Sequence, residues 1–196
     1  MLLTNYKPYV PEKLGLKYKS LVNLNEYYKV PVKAEKWAVK EECLNNCNEY
    51  IKNNDGEVEL GWSLTIWGNL IIHLIAHAVV KLPSGKRLCI TPNDLGKRSL
   101  LFFPDNSLAS DSVKRMPTKF IPVVNNSLLN EYVELEQAHE ETRMSGIAAI
   151  TQQEAIQYNI KRAYYYSMLE TLAKQSTNKD DYCFCGSSKL RKKCCK

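Results

Sequence analysis

Over residues 34–53, Trp37, Cys43, Cys47, Tyr50 and Ile51 recur at helical spacings. This predicts an amphipathic helix, closed by the turn Asn54-Asp55-Gly56. The period then changes. Residues 57–67 are rich in β-branched and aromatic side chains and read as a strand. Gly68-Asn69 is a two-residue hairpin signal, and the apolar run 70–82 is the expected return strand. Its alternation is imperfect, and a bulge accounts for that. Pro83-Ser84-Gly85-Lys86 turns the chain into a further strand at 87–91. A last strand is expected at 99–103, ahead of Pro104-Asp105-Asn106.

Residues 107–127 read as loop with one short extended piece at 119–124. Two helices follow, at 128–143 and 153–174, the second opened by a capping box of Thr151 with Glu154. Residues 1–33 are punctuated by Pro8, Pro11 and Pro31 and read as extended, with room for a helix only in their middle. The polar stretch 175–181 reads as a flexible linker. No internal repeat is visible. The expected architecture is α+β: a helix packed on an antiparallel meander of about four strands, two C-terminal helices, and a small tail. The expected division is a body at 1–175, a linker at 176–182 and the tail at 183–196.

Composition adds limits. The 196 residues suffice for one sizeable core plus an appendage, and 44% hydrophobic with 24% charged is ordinary for a folded protein. Net charge is +6, from 27 basic against 21 acidic side chains. Five of the basic residues, Lys189, Arg191, Lys192, Lys193 and Lys196, lie in the tail, against Asp180 and Asp181 just before it. The body is close to balanced, so a general nucleic-acid surface is not indicated. An acidic partner or an RNA would meet the tail first. No run of eighteen apolar residues suggests a membrane span. The N-terminus lacks the apolar core of a signal peptide. The chain reads as cytoplasmic, where clustered cysteines favour metal over disulfide.

The strongest chemical signal is in that tail. Cys183, Cys185, Cys194 and Cys195 form a C-x-C-x8-C-C pattern. Two close pairs of thiols across a foldable spacer are what a tetrahedral zinc ion takes. Gly186 follows the first pair, where the backbone must turn. The segment holds only Phe184 and Leu190 as bulky apolar groups, with Tyr182 just before it, so it needs a metal or disulfides to hold a shape. The five cations would offset the −2 charge of a zinc tetrathiolate. A disulfide pair or an unstructured basic tail are the alternatives.

These residues resemble the SEC-C motif, the small zinc-binding tail found at the end of the SecA translocation ATPase and on other bacterial proteins. The four cysteines, the Gly186-Ser187 pair and the basic spacer carry the resemblance. It implies Zn2+ as cofactor and contact with a partner protein or the ribosome.

A second constellation lies in the body. Cys43 on a helix and His77 on a strand are the elements from which papain-like and transglutaminase-like folds build a thiolate–imidazolium pair. The wording around them also resembles an uncharacterised bacterial and phage family whose members often carry a SEC-C tail. The matching pieces are Cys43-Leu44-Asn45-Asn46, Gly61-Trp62-Ser63-Leu64-Thr65-Ile66-Trp67, His77-Ala78-Val79-Val80 and Cys89-Ile90-Thr91-Pro92. The papain- and transglutaminase-like pattern implies a cysteine hydrolase or acyl transferase with Cys43 as nucleophile and His77 as base; the uncharacterised family names no activity, and the chain follows its wording over residues 40–105. It departs from the family at Cys89, where an aspartate would orient His77. Asn93 or Asp94 could take that role from just past the strand. Otherwise the site is degenerate and the protein is a non-enzymatic adaptor. Cys43, Cys47 and Cys89 as core fillers, a two-histidine metal site at His73 and His77, and a surface role for His139 complete the alternatives.

Overall fold

A computed structural model describes residues 8–23, 26–93, 96–108, 116–145 and 150–195. Its helices are α1 (Leu16–Val22), α2 (Cys43–Ile51), α3 (Ser127–Met144) and α4 (Gln152–Ser176). Its strands are β1 (Tyr28–Pro31), β2 (Glu57–Trp67), β3 (Ile71–Lys81), β4 (Arg87–Leu88), β5 (Ser99–Pro104) and β6 (Thr118–Pro122). The protein is α+β, as expected, but among the described residues the sheet has six strands rather than about four, in the order β1-β5-β2-β3-β4 with β6 on β3. The two additions come from stretches read as extended or loop, whose pairing partners are distant in sequence. The chain separates into two compact units.

The first unit comprises 23–64 and 74–117. Here β1 runs antiparallel to β5 with Tyr28 opposite Phe102, and β5 runs antiparallel to β2 with Gly61 opposite Pro104. Gly61 is dictated by close approach: a Cβ there would lie 2.2 Å from the Phe103 carbonyl oxygen. Two apolar clusters form. One gathers Val30, Val79, Cys89, Leu100 and Phe102; the other gathers Cys43, Cys47, Ala78, Val80 and Ile90. Neighbours in β3 therefore enter different clusters, so Val79 and Val80 are both buried. Coverage of both faces explains the imperfect alternation of this segment.

Helix α2 is shorter than the expected 34–53. It starts at Cys43 because Asn46 clamps the preceding loop. Asn46 accepts from Val39 N–H at 3.0 Å, donates to Val39 O at 2.7 Å, and donates to Thr91 Oγ1 at 3.1 Å. Glu41 sits at φ 67° inside that loop, and Trp37 is exposed. The aromatic that set the helical period upstream thus packs in no helix.

The second unit comprises 1–22, 65–73 and 118–196. Gly68 and Asn69, at φ 58° and 57°, turn β2 into β3 with the two positive angles a type I′ hairpin requires. Tyr9 bridges Ile66 through backbone bonds of 2.9 and 2.8 Å. Asn126 caps α3 by accepting from Leu129 N–H at 3.2 Å, and the Thr151–Glu154 capping box opens α4. α3 and α4 are keyed by buried Glu136, with half-buried Arg162 Nε 2.9 Å from its Oε1 and Tyr158 donating to its Oε2 at 3.0 Å. The core of this unit joins Leu70, Ile71, Leu129, Tyr132, Leu169 and Ala173 to Cys183 and Phe184. Among the described residues no helix is long and apolar enough to cross a membrane.

Candidate metal centre

Local hydrogen bonding draws the C-terminal cysteines together. Tyr182 and Leu190 form an antiparallel bridge, and Cys183 N–H donates to Lys189 O at 2.7 Å. Between them Gly186, at φ 76°, reverses the chain. A 3-10 turn at Arg191–Lys193 then carries Cys194 and Cys195 back, with Cys194 N–H donating to Arg191 O at 3.0 Å. The four Sγ atoms of Cys183, Cys185, Cys194 and Cys195 all lie within 4.8 Å of one another. Cys185 and Cys194 are 3.5 Å apart, Cys194 and Cys195 3.9 Å.

This donor set fits zinc. Sulfurs around one tetrahedral ion at ~2.3 Å stand about 3.8 Å apart, close to the 3.5 and 3.9 Å of Cys194 from Cys185 and Cys195, whereas a disulfide needs ~2.05 Å. The protonation equilibria agree with a site that waits for a cation. Burial pushes the Cys183 thiol up and, with hydrogen bonds among the cysteines, pushes Cys195 up to about 12. Burial also raises Cys185, but bonds from Ser187, Cys183 and Cys194 outweigh it and bring Cys185 down to about 7. Four thiolates this close would repel, a cost that a bound cation would remove. Cys183 is fully buried, while Cys185, Cys194 and Cys195 are half-buried. Outside the ring of sulfurs Lys189, Lys192 and Lys193 are exposed. Lys192 pairs with Asp180. Lys196 lies outside the described residues.

The body constellation is arranged differently. Cys43 and Cys47 are buried in one cluster beside α2, and Cys89 is buried in the other. His77 Nε2 lies 3.2 Å from Cys89 Sγ, and Cys89 also reaches Thr91 O at 3.6 Å. The residue standing where an aspartate was expected does face the imidazole. Burial pushes Cys43 up, pushes Cys89 up to about 11, and lowers His77 to about 4. Thiols and imidazole are therefore all neutral near pH 7, the opposite of an activated thiolate–imidazolium pair. Asn93 is exposed, and its side chain closes a loop, donating to Lys97 O at 2.9 Å and accepting from Lys97 N–H at 3.0 Å. Asp94 lies outside the described residues.

Among the described residues the C-terminal cysteines are the only group of three or more His, Cys, Asp or Glu placed to hold a metal. His73 stacks instead on Phe120 with centroids 4.7 Å apart. His139, expected on the surface, is half-buried against Tyr158 at 4.0 Å. Sequence pattern read Asn69 only as a turn residue and missed Thr177; both are buried polar residues that hold the tail. Their partners lie too far along the chain for local pattern to show.

Comparison with family models, curated proteins and solved structures finds no match to the chain.

Proposed function

We propose that this is a zinc-binding adaptor. Its SEC-C-like tail at 183–196 folds around one Zn2+ and presents a basic surface, and the body at 1–175, joined through 176–182, supports it. The observation that carries the reading is four thiols whose sulfurs all lie within 4.8 Å of one another. When bound, the ion supplies cross-linking rather than chemistry, since four cysteines leave no open coordination position for a substrate. Cys183 and Cys185 would hold it from one side, and Cys194 and Cys195 from the other. Exposed Lys189, Lys192 and Lys193 then favour an acidic protein surface or ribosomal RNA as partner. A reducing compartment such as the cytoplasm suits this chemistry, because the cysteines must persist as thiols.

The alternative reading, a cysteine hydrolase using Cys43 and His77, draws its support from sequence pattern alone. Neutral groups on both sides favour the degenerate version of that site.

Metal analysis of protein purified without added metal tests the conclusion. One zinc per chain is expected, and none in the Cys194→Ser, Cys195→Ser double variant. Sedimentation with purified ribosomes tests the partner. Binding should weaken steeply with salt and disappear when Lys189, Lys192 and Lys193 become Glu. Absence of stoichiometric metal in the parent protein would overturn the whole reading.

A further inference from the structure

Asn69 is a turn residue by backbone but not by side chain. It is only 3% exposed, and every polar atom of its amide is engaged. Oδ1 accepts from Tyr9 Oη at 2.6 Å and, more distantly, from Tyr18 Oη at 3.4 Å. Nδ2 donates to Tyr182 O at 2.7 Å and to Thr177 Oγ1 at 3.1 Å. Tyr182 is the residue immediately before Cys183, the most buried of the four cysteines. Thr177, 2% exposed, in turn donates to Ala173 O at 2.7 Å, and its own carbonyl accepts from Arg191 in the 3-10 turn that carries Cys194. The Tyr9 ring also packs against the Tyr182 ring, with centroids 5.5 Å apart. One amide thus ties the hairpin turn to both arms of the cysteine loop.

We propose that Asn69 is a positioning residue of the metal centre: by fixing the Tyr182 carbonyl it sets where Cys183 Sγ stands before an ion arrives. The inference rests on the zinc reading above. A tail free of this clamp has the same four cysteines but must order its backbone as the ion binds. A clamped tail starts with the first ligand in place. Outer-shell hydrogen bonds of this kind typically change metal affinity 10–100-fold. Tyr9 acts one step further out. Burial raises its phenol well above the usual range, so it remains a donor and holds the Asn69 amide with the nitrogen towards Tyr182.

Glycine is the informative substitution, because it keeps the left-handed turn backbone and removes only the amide. In the full-length chain, Asn69→Gly should bind zinc 10–100-fold more weakly in a competition with a chromophoric chelator. Tyr9→Phe should lose less, under about tenfold. Cobalt substitution adds a readout that loss of stability alone does not move. At saturation Asn69→Gly should keep tetrahedral thiolate bands, but with altered splitting. Glu140→Gln, which removes the carboxylate that accepts from Thr118 N–H and Arg143 in the same unit, serves as a destabilised control with its cysteine loop untouched. It should retain parent affinity. Affinity within twofold of the parent in Asn69→Gly would overturn the proposal, as would equal weakening in Glu140→Gln. Parent protein that binds neither metal would instead remove the reading beneath it.

Discussion

Seven cysteines divide into two sets that differ in everything but the atom. Cys183, Cys185, Cys194 and Cys195 bring four sulfurs within 4.8 Å, three of them half-buried. Cys43, Cys47 and Cys89 are all buried, and each thiol is raised by desolvation. Burial makes a cysteine a small apolar filler. Convergence with hydrogen-bond donors and partial water access leaves it placed to hold a metal. Chain spacing marked the C-terminal four, but it left Cys43 open between nucleophile and core filler, and burial on α2 favours the second.

The sharpest way to break the comparison is to deprive the four-cysteine cluster of any metal. A strong chelator should collapse the cysteine loop and loosen the core that contains Cys183 and Phe184. The loss should be a large share of the ~10–16 kcal/mol apparent binding free energy of structural zinc. Loss of protection for Leu129 and Leu169 amides by hydrogen exchange would report it. The other unit should not respond to the chelator, but it should be sensitive to backbone contact. Gly61→Ala places a methyl on Phe103 O, and chemical denaturation should show a loss of about 3–5 kcal/mol. Thiol labelling of the chelated, still-soluble protein compares the two sets directly. Cys185 should react at least about a hundredfold faster than Cys43, Cys47 or Cys89, with rates read by mass spectrometry.

The smallest effect concerns acid. Burial lowers His73 and His77 to about 4, against an ordinary ~6.5, with Arg162 lowering His73 further and Glu140 opposing. The unfolded chain therefore binds more protons between those values. Stability is complete above about pH 6.5 and declines as pH falls towards 4. Each half-buried ring should contribute on the order of 1–2 kcal/mol, and His73→Gln or His77→Gln should flatten its part of the slope in urea titrations at stepped pH.

What was legible in the sequence was local. The Gly68-Asn69 turn, the Thr151–Glu154 cap, the strands either side of the turn and the four-cysteine cluster all follow from neighbours within a dozen positions. The opposition of Cys89 and His77 was legible too, because Pro83-Ser84-Gly85-Lys86 folds one short strand back beside the other. What was hidden depended on remote partners. β1 exists because Ser99–Pro104 pairs with it. The upstream part of the expected first helix fails because Asn46 prefers the Val39 backbone and Thr91. Asn69 meets Thr177 and Tyr182 across 108 and 113 positions, and no window along the chain spans that.

The unit that holds the cysteine loop is threaded from three separate stretches, with the other unit encoded between them. No single cut in the polypeptide can excise it. A fusion partner given residues 176–196 alone would receive the ligands without the tyrosine and asparagine that brace them. Transplanting this centre into another scaffold would therefore mean transplanting a hairpin as well.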